Sequence, residues 1–277
     1  MTDERAPRGP DAPRADHARL ASSSVGSGRR LVLVHGFTQT GASWRRVAAA
    51  LSGDHEVVAV DLPGHGRSGD VRVADLDEAA ALVGATGGRA VYVGYSLGGR
   101  TCLTLALARP DLVEHLVLVG ATAGIEDPEE RAARRSSDEA LARRLDPPDG
   151  PARTSVGEFL AEWLSGPLFA HLDSEQADLG ARVANLGPGL AASLRTTGTG
   201  TQIPSWDRLG ALSMPVDLVT GSLDARFGEI ASRMARAIGG NARCAVLPGT
   251  GHAAPFEDPA AFASLVERLV TERATGR

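Results

Sequence analysis

The stretch Val91-Tyr92-Val93-Gly94-Tyr95-Ser96-Leu97-Gly98-Gly99 decides the fold of this 277-residue chain. Its first residues are β-branched or aromatic, which is typical of a strand. An apolar run from Leu97 to Ala108 follows and predicts a helix. Between them, the pattern G-x-S-x-G places Ser96 among small residues that permit a tight turn from strand to helix. We therefore expect the Ser96 hydroxyl to be held at the end of a sheet.

Apolar strands and amphipathic helices alternate on both sides of this stretch. Strands that are apolar throughout are typical of a parallel sheet covered by helices on both faces. The sequence therefore predicts an α/β fold with a mostly parallel sheet. Besides the strand before Ser96, strands are predicted at residues 31–34, 56–60, 116–119, 216–220 and 244–247.

The alternation stops between residues 121 and 205, where only helical patterns occur. Such a segment is too long for a plain connection between two strands. We interpret it as a helical lid over a site, the alternative being an extra packing layer. The predicted domains are an α/β core of residues 29–120 and 206–277, the lid of residues 121–205, and a tail of residues 1–28. The tail is rich in Arg, Asp, Pro and Ser and is predicted to be disordered.

Composition excludes several classes of function. The formal net charge is −5, which argues against a nucleic-acid partner. All 29 basic residues are arginine, so Schiff-base chemistry on lysine is excluded. No apolar stretch is long enough to span a membrane. Cys102 and Cys244 lie in apolar runs and are predicted to be buried and reduced, so we expect a cytoplasmic protein. We also expect the protein to act as a monomer.

Two residues that follow late strands can activate Ser96. A serine hydroxyl needs an imidazole to accept its proton and a carboxylate to orient that imidazole. Of the seven histidines, only His252 follows both the lid and a late strand. Asp224 directly follows the preceding strand, at the edge where ligand sites of open α/β sheets form. Asp217 is an alternative acid, although it lies within the strand itself.

Two backbone N–H groups are expected to complete the site as an oxyanion hole. Leu97 follows the serine and supplies one, and Phe37, after an earlier strand, is expected to supply the other. His35 and His65 lie in neighbouring loops, where we expect their rings to have structural roles.

Arg100 interrupts an otherwise apolar helix one turn after Ser96, on the same face. A buried charge without a partner is costly. An acidic ligand would relieve that cost, and so would an Asp or Glu of the protein.

Several motifs together resemble the α/β-hydrolase superfamily, over roughly residues 30 to 272. They are His35-Gly36-Phe37, the loop Asp61-Leu62-Pro63-Gly64-His65-Gly66-Arg67-Ser68, Gly94-Tyr95-Ser96-Leu97-Gly98-Gly99, Asp224 and Gly251-His252. More narrowly, four stretches resemble the 2-succinyl-6-hydroxy-2,4-cyclohexadiene-1-carboxylate (SHCHC) synthases of menaquinone biosynthesis. These are Gly94 to Arg100, Glu130-Arg131-Ala132-Ala133-Arg134, the Phe159-x-x-x-Trp163 helix with Pro167-x-Phe169, and Gly221-x-x-Asp224-x-x-Phe227.

The resemblance implies a reaction and a pocket. Members of that family use the hydrolase triad to eliminate pyruvate from 2-succinyl-5-enolpyruvyl-6-hydroxy-3-cyclohexene-1-carboxylate, with no metal and no cofactor. It implies that Ser96, activated by His252 and Asp224, is a general base, and that a small polycarboxylate is the substrate. The implied substrate-binding residues are Tyr95, Arg100, Arg134, Trp163 and Arg182, the last only if a short gap precedes it. Arg135 replaces the family's aromatic residue after the Arg134 position, which alters the expected pocket wall.

Two other functions remain open at this point. An esterase or a hydrolase of C–C bonds, acting on an acidic small molecule, would use the same triad. A non-catalytic binding module on this fold is the second alternative, and the intact Ser96, Asp224 and His252 argue against it.

Overall fold

A seven-stranded sheet forms the centre of the molecule in the computed structural model, which describes residues 19–173 and 176–275. Its spatial order is β1-β3-β2-β4-β5-β6-β7. The pairing of β1 with β3 is antiparallel, and every other neighbouring pair is parallel. The strands are β1 (Ser22–Val25), β2 (Arg29–Val34), β3 (His55–Val60), β4 (Ala90–Tyr95), β5 (Val113–Val119), β6 (Val216–Gly221) and β7 (Ala242–Leu247).

Helices cover both faces of this sheet. The α-helices are α1 (Arg45–Leu51), α2 (Leu76–Gly87), α3 (Leu97–Ala108), α4 (Pro128–Leu145), α5 (Val156–Leu164), α6 (Leu179–Arg182), α7 (Gly187–Thr197), α8 (Ala225–Ile238), α9 (Ala254–Glu257) and α10 (Pro259–Thr275). Apolar residues of α2, α3 and α8 pack on one face, and those of α1 and α10 on the other. Successive residues of β2 alternate between the two cores: Val32 packs on the first and Leu33 on the second. The α/β class with a mostly parallel sheet is confirmed.

The prediction of a disordered tail up to residue 28 is wrong for its last part. Ser22–Val25 form β1, which pairs with β3 in the register Ser22 to Val60. Leu20 is buried, and its N–H donates to Thr86 Oγ1 over 2.9 Å. A serine-rich segment has no apolar pattern, so backbone hydrogen bonds to a sheet edge stabilise this strand without a sequence signal. Residues 1–18 of the predicted tail lie outside the described residues.

Helices α4 to α7 lie between β5 and β6, which agrees with the predicted position of the lid. This helical insertion has a small core of its own, formed mainly by α4, α5 and α7, against which Phe37 of the sheet domain packs. Asp127 begins α4 by accepting hydrogen bonds from the N–H groups of Glu129 and Glu130, and Ser155 begins α5 in a capping box with Glu158. The caps explain why such a polar segment is helical.

Cys102 is buried as predicted, whereas Cys244 is exposed. Cys244 lies on β7, at the edge of the sheet, so one side of that strand faces solvent. Within the described residues, no helix is both long and apolar enough to cross a membrane.

Candidate active site

The turn at Ser96 has the strained backbone that its motif predicts. Ser96 lies between β4 and α3, as the N-cap of α3, with φ 50° and ψ −110°, a conformation that few residues other than glycine adopt. Its N–H donates to Val119 O of β5 over 2.8 Å, which anchors the turn to the sheet. The flanking glycines are required by close approach: a Cβ on Gly94 would lie 2.5 Å from Gly98 O, and one on Gly98 would lie 2.1 Å from Val34 O. The hydroxyl is thereby presented above the carboxyl ends of the parallel strands.

Asp224 and His252 meet at the same edge of the sheet. Asp224 follows β6 and begins α8, where its Oδ1 accepts a hydrogen bond from Phe227 N over 3.2 Å. Its other oxygen, Oδ2, lies 2.8 Å from Nδ1 of His252, which follows β7. Because the helix cap fixes one oxygen, the second is aimed at the imidazole.

Asp217, the alternative acid, binds other residues instead of His252. Its Oδ2 lies 2.6 Å from Nε2 of His115, and its Oδ1 accepts from Arg243 over 3.1 Å. The structure thus places Asp224, rather than Asp217, beside His252.

The imidazole of His252 is oriented towards a cavity. Its ring packs against Phe227, with centroids 4.4 Å apart, and above Tyr95, at 5.4 Å. When Nδ1–H donates to Asp224, Nε2 keeps its lone pair and can accept a proton. Nε2 is buried and has no hydrogen-bond partner in the described part of the chain. Ser96 and His252 both line a cavity of about 140 Å³, so the hydroxyl and the free Nε2 lie at the same site.

The two residues expected to form the oxyanion hole line the same cavity. Leu97 is the first residue of α3, so its N–H has no partner within the helix. Phe37 lies after β2. Its ring packs edge to face against Trp163 of the helical insertion, with centroids 5.2 Å apart. An oxyanion hole formed by these two N–H groups stays a prediction.

His35 and His65 have the structural roles predicted for them. His35 Nε2 accepts from Leu62 N over 3.0 Å, and its Nδ1 donates to Gly36 O over 2.8 Å. His65 bridges Pro63 O and Thr38 N in the same way. Burial lowers the pKa of His35 to about 4 and that of His65 to about 3, the latter helped by the neighbouring His35. Both rings are therefore neutral and link neighbouring loops through hydrogen bonds.

Arg100 and Arg134 lie together on one wall of the cavity. Arg100 is only 6% exposed, and it donates to neutral acceptors alone: Thr197 O over 2.9 Å and Gln202 Oε1 over 3.3 Å. Burial and the like charge of Arg134 lower the pKa of Arg100 to about 10, while Asp138 acts in the opposite direction. A guanidinium held this way remains protonated near pH 7. No carboxylate of the described residues forms a salt bridge with Arg100, which leaves its charge available to an anion.

Tyr95, Trp163 and Arg182 occupy different places around this cavity. Trp163 lines it and stacks on Phe159, with centroids 6.2 Å apart. Tyr95 is buried beneath His252 and Phe256, and burial raises the pKa of its hydroxyl. Arg182 is 2% exposed and donates to Ala177 O and Thr38 Oγ1, over 2.6 and 2.5 Å. Neither Tyr95 nor Arg182 is among the described residues that line the cavity.

A wider cleft continues from Ser96 and Arg100 towards α8. It has a volume of about 260 Å³ and is also lined by Arg134, Arg226 and Arg233. Arg233 forms a salt bridge with Glu126 at 2.5 Å and lies over the ring of Trp206. The arginines outnumber the glutamates along this cleft, so it favours an anionic ligand.

Three residues that position the arginines had not been identified from the sequence. Thr197 and Gln202 bind Arg100 from distant parts of the chain, for which no local pattern exists. Asp138 binds Arg134 Nε over 2.9 Å from one helical turn away. The i, i+4 spacing of an arginine and an aspartate on one predicted helix is the signal that could have revealed this pair.

Comparison with known proteins identifies the family. The Alpha/beta hydrolase family matches residues 31–265. The 2-succinyl-6-hydroxy-2,4-cyclohexadiene-1-carboxylate synthase of Enterobacter sp. (strain 638) is 32% identical over 252 residues, covering 88% of this chain and 92% of that protein. The chain belongs to the α/β hydrolase family and, within it, to the SHCHC synthases. The family resemblance seen in the motifs is thereby confirmed, and so is the expectation of a lyase on a hydrolase fold.

Solved structures agree with this membership. MenH from S. aureus superposes with a TM-score of 0.81 at 26% identity, over 91% of this chain and 98% of that chain. A malate-bound thermophilic esterase from Thermogutta terrifontis superposes with a TM-score of 0.76 at 25% identity, over 92% and 93% of the two chains. The same fold therefore also occurs in a hydrolase, so the fold alone does not define the reaction.

Proposed function

We propose that this SHCHC synthase eliminates pyruvate from 2-succinyl-5-enolpyruvyl-6-hydroxy-3-cyclohexene-1-carboxylate, with Ser96 as the general base. One observation carries the mechanism. Ser96, His252 and two arginines line a single cavity, and Arg100 has only neutral partners among the described residues. A base beside a binding site for carboxylates is what removal of a proton from a polycarboxylate requires.

The names of substrate and product define the bonds that change. Conversion of a 3-ene with a 5-enolpyruvyl group into a 2,4-diene requires loss of a proton from C2 and of the enolpyruvyl group from C5. In our mechanism, His252 Nε2 accepts the proton of Ser96 Oγ, and Oγ removes the proton at C2. The electron pair then forms the new double bonds as the C5–O bond breaks. The departing enolpyruvate takes up one proton and becomes pyruvate, so no proton is consumed.

The protein stabilises the charge that develops during this step. C2 carries the succinyl carbonyl, so loss of its proton places negative charge on that carbonyl oxygen. The N–H groups of Leu97 and Phe37 are the proposed donors to this oxygen. Asp224 stabilises the imidazolium of His252 while it holds the serine proton. Arg100 and Arg134 are proposed to bind carboxylates and so align the C2–H bond with Ser96.

An esterase or C–C hydrolase is the second candidate, because the triad arrangement suits a nucleophilic serine equally well. The similarity to an esterase structure with malate bound favours hydrolysis of an acidic compound as this alternative.

Product identity separates the two candidates. The purified protein is incubated with the enolpyruvyl substrate while diene absorbance and pyruvate, the latter through a coupled reductase, are followed. We expect both signals to rise together, and Ser96→Ala to lower kcat by about 10³-fold or more. Ser232→Ala is the matched control, since this exposed serine of α8 donates to Gly228 O and does not line the cavity. An acyl burst with a nitrophenyl ester, without diene or pyruvate, would establish the hydrolase instead.

We also propose that the protein acts as a monomer in the cytoplasm. Size-exclusion chromatography with light scattering gives the mass in solution, and a dimer whose specific activity falls on dilution would contradict the first part.

A further inference from the structure

Asp138 is a buried carboxylate on a helix whose other acidic residues face solvent. It is 2% exposed, on α4 of the helical insertion. Oδ1 accepts from Arg134 Nε over 2.9 Å, whereas Oδ2 is buried without a hydrogen-bond partner among the described residues. Burying a carboxylate that is only half satisfied is unfavourable, so its retention here calls for a reason other than stability.

The surroundings of Asp138 connect it to both cavity arginines. A Cβ on Gly198 would lie 2.7 Å from Asp138 Oδ2, so the backbone at the end of α7 packs directly on the carboxylate. Thr197, the preceding residue, is the one whose carbonyl binds Arg100. Arg100 and Asp138 therefore both contact the backbone at the C-terminal end of α7, and Asp138 also binds Arg134.

The contact with Asp138 determines which edge of Arg134 is available. A guanidinium can bind carboxylates through the edge that includes Nε or through its two terminal nitrogens. Asp138 occupies Nε, which leaves Nη1 and Nη2 to a ligand on the cavity side. Arg134 is also 41% exposed at its side chain, so without Asp138 this long side chain could take many conformations.

Asp138 also sets the net charge beside the two cavity arginines. Arg100, Arg134 and Asp138 together carry one net positive charge in a largely buried place. We propose that Asp138 is a positioning residue: it fixes the guanidinium of Arg134 and leaves the Arg100–Arg134 pair with the charge that matches one substrate carboxylate. The proposal rests on the proposed function for the identity of the substrate, but not for the binding of a carboxylate.

A double-mutant cycle with Arg134 tests the positioning role. Asp138→Asn keeps the shape and removes the charge, and we expect kcat/KM to fall by about 10- to 100-fold through kcat, because Arg134 then binds a carboxylate without aligning the substrate with Ser96. In an Arg134→Met background, the same change is expected to cost less than about twofold, because the residue it positions is gone. Equal losses in both backgrounds would overturn the positioning role, as would an unchanged kcat/KM in Asp138→Asn.

Succinate binding, measured by calorimetry, tests the charge. We expect Asp138→Asn to bind succinate at least about threefold more tightly than the wild type, because the site then carries two net positive charges. A merely structural role would weaken binding together with thermal stability, and that outcome overturns the proposal. If the wild-type protein shows no lyase activity, the proposed function fails, and the succinate measurement still decides the charge role of Asp138.

Glu139→Gln is the matched control. It removes the same charge from the next residue of α4, but Glu139 binds Arg143 and Arg195 away from the cavity. We expect both kcat/KM and succinate affinity to stay near those of the wild type. If Asp138→Asn does not fold, Arg134→Lys serves as a second variant: it keeps the charge facing Asp138 but loses the second donor edge. We expect its kcat/KM to match that of Arg134→Met, and a value near the wild type would overturn the proposal.

Discussion

Two clusters of buried polar residues lie where the helical insertion packs on the sheet domain, and each contains an arginine with neutral partners. In the cavity cluster, Arg100 is 6% exposed and binds Thr197 O and Gln202. In the support cluster, Arg182 is 2% exposed and binds Ala177 O and Thr38. Burial lowers the pKa of each to about 10. The burial and the pKa of an arginine therefore do not distinguish ligand binding from structural support.

The residues around each arginine distinguish the two roles. Arg100 shares a cavity wall with Ser96 and His252. Arg182 lies behind the loop that carries Thr38, whose carbonyl accepts from Asn185 over 2.8 Å and whose N–H donates to His65 over 3.4 Å. The support cluster thus joins the helical insertion to the loops after β2 and β3, while the cavity cluster faces the place where chemistry is proposed. Three experiments can break or sharpen this contrast.

The largest effect is expected from acid acting on the support cluster. The folded-state pKa values of His35 and His65, about 4 and about 3, lie below the ordinary value of 6.5. Between pH 6.5 and these lower values, the unfolded chain binds more protons than the folded chain does. The free energy of unfolding is therefore highest above pH 6.5 and decreases as the pH falls towards 3. One pKa unit corresponds to roughly 1.4 kcal/mol, so between pH 6.5 and pH 4.5 the two rings together lower the free energy of unfolding by on the order of 5 kcal/mol.

Urea unfolding between pH 7.5 and pH 4.5 measures this dependence. We expect the midpoint to fall steadily below pH 6.5 in the wild type and in Arg100→Met. His65→Gln, which removes one of the two titrating rings, should be less stable at pH 7.5 but show a shallower fall. A wild-type midpoint that does not change over this range would refute the assigned role of the two rings.

Arg100→Met tests the cavity cluster. We expect kcat/KM to fall by about 10- to 150-fold, because a charge-assisted contact with a substrate carboxylate contributes roughly 1.5–3 kcal/mol. Stability should be unchanged or higher, since the loss of two hydrogen bonds is offset by relief of the repulsion between the buried Arg100 and Arg134, whereas Arg182 has the attractive Asp178 nearby. Steady-state kinetics and thermal unfolding of the same preparation give both quantities. A loss of stability with normal kinetics would show that Arg100 has a structural role, as proposed for Arg182.

Arg182→Met is expected to have the smallest effect, and in the opposite quantity. Loss of its two hydrogen bonds should lower the free energy of unfolding by about 1–3 kcal/mol. Well below the unfolding temperature, kcat/KM should change by less than about threefold, since Arg182 does not line the cavity. The family resemblance implies a substrate-binding role for this arginine. Impaired kcat/KM with full stability would support that role and remove the contrast between the two clusters.

Much of the candidate site could be predicted because its members are tied to local patterns. Ser96 lies in a strand–turn–helix motif, and Asp224 and His252 follow strands whose carboxyl ends share one edge of the sheet. The order of these elements along the chain was sufficient to select the three residues from many serines, aspartates and histidines. In contrast, β1 pairs through its backbone with β3 and carries serines that give no apolar signal.

Sequence by itself determined the alternation of strands and helices, the position of the helical insertion and the placement of Ser96, Asp224 and His252 directly after strands. These depend on periodicity, caps and chain order, which are properties of short segments. Only the tertiary structure decided which buried arginine faces the cavity, and that Asp138 lies between the end of α7 and Arg134. The physical reason is that desolvation and electrostatic contact depend on where the insertion packs against the loops after β2 and β3. Contacts across more than a hundred residues, such as Arg182 with Thr38, leave no mark in either segment alone.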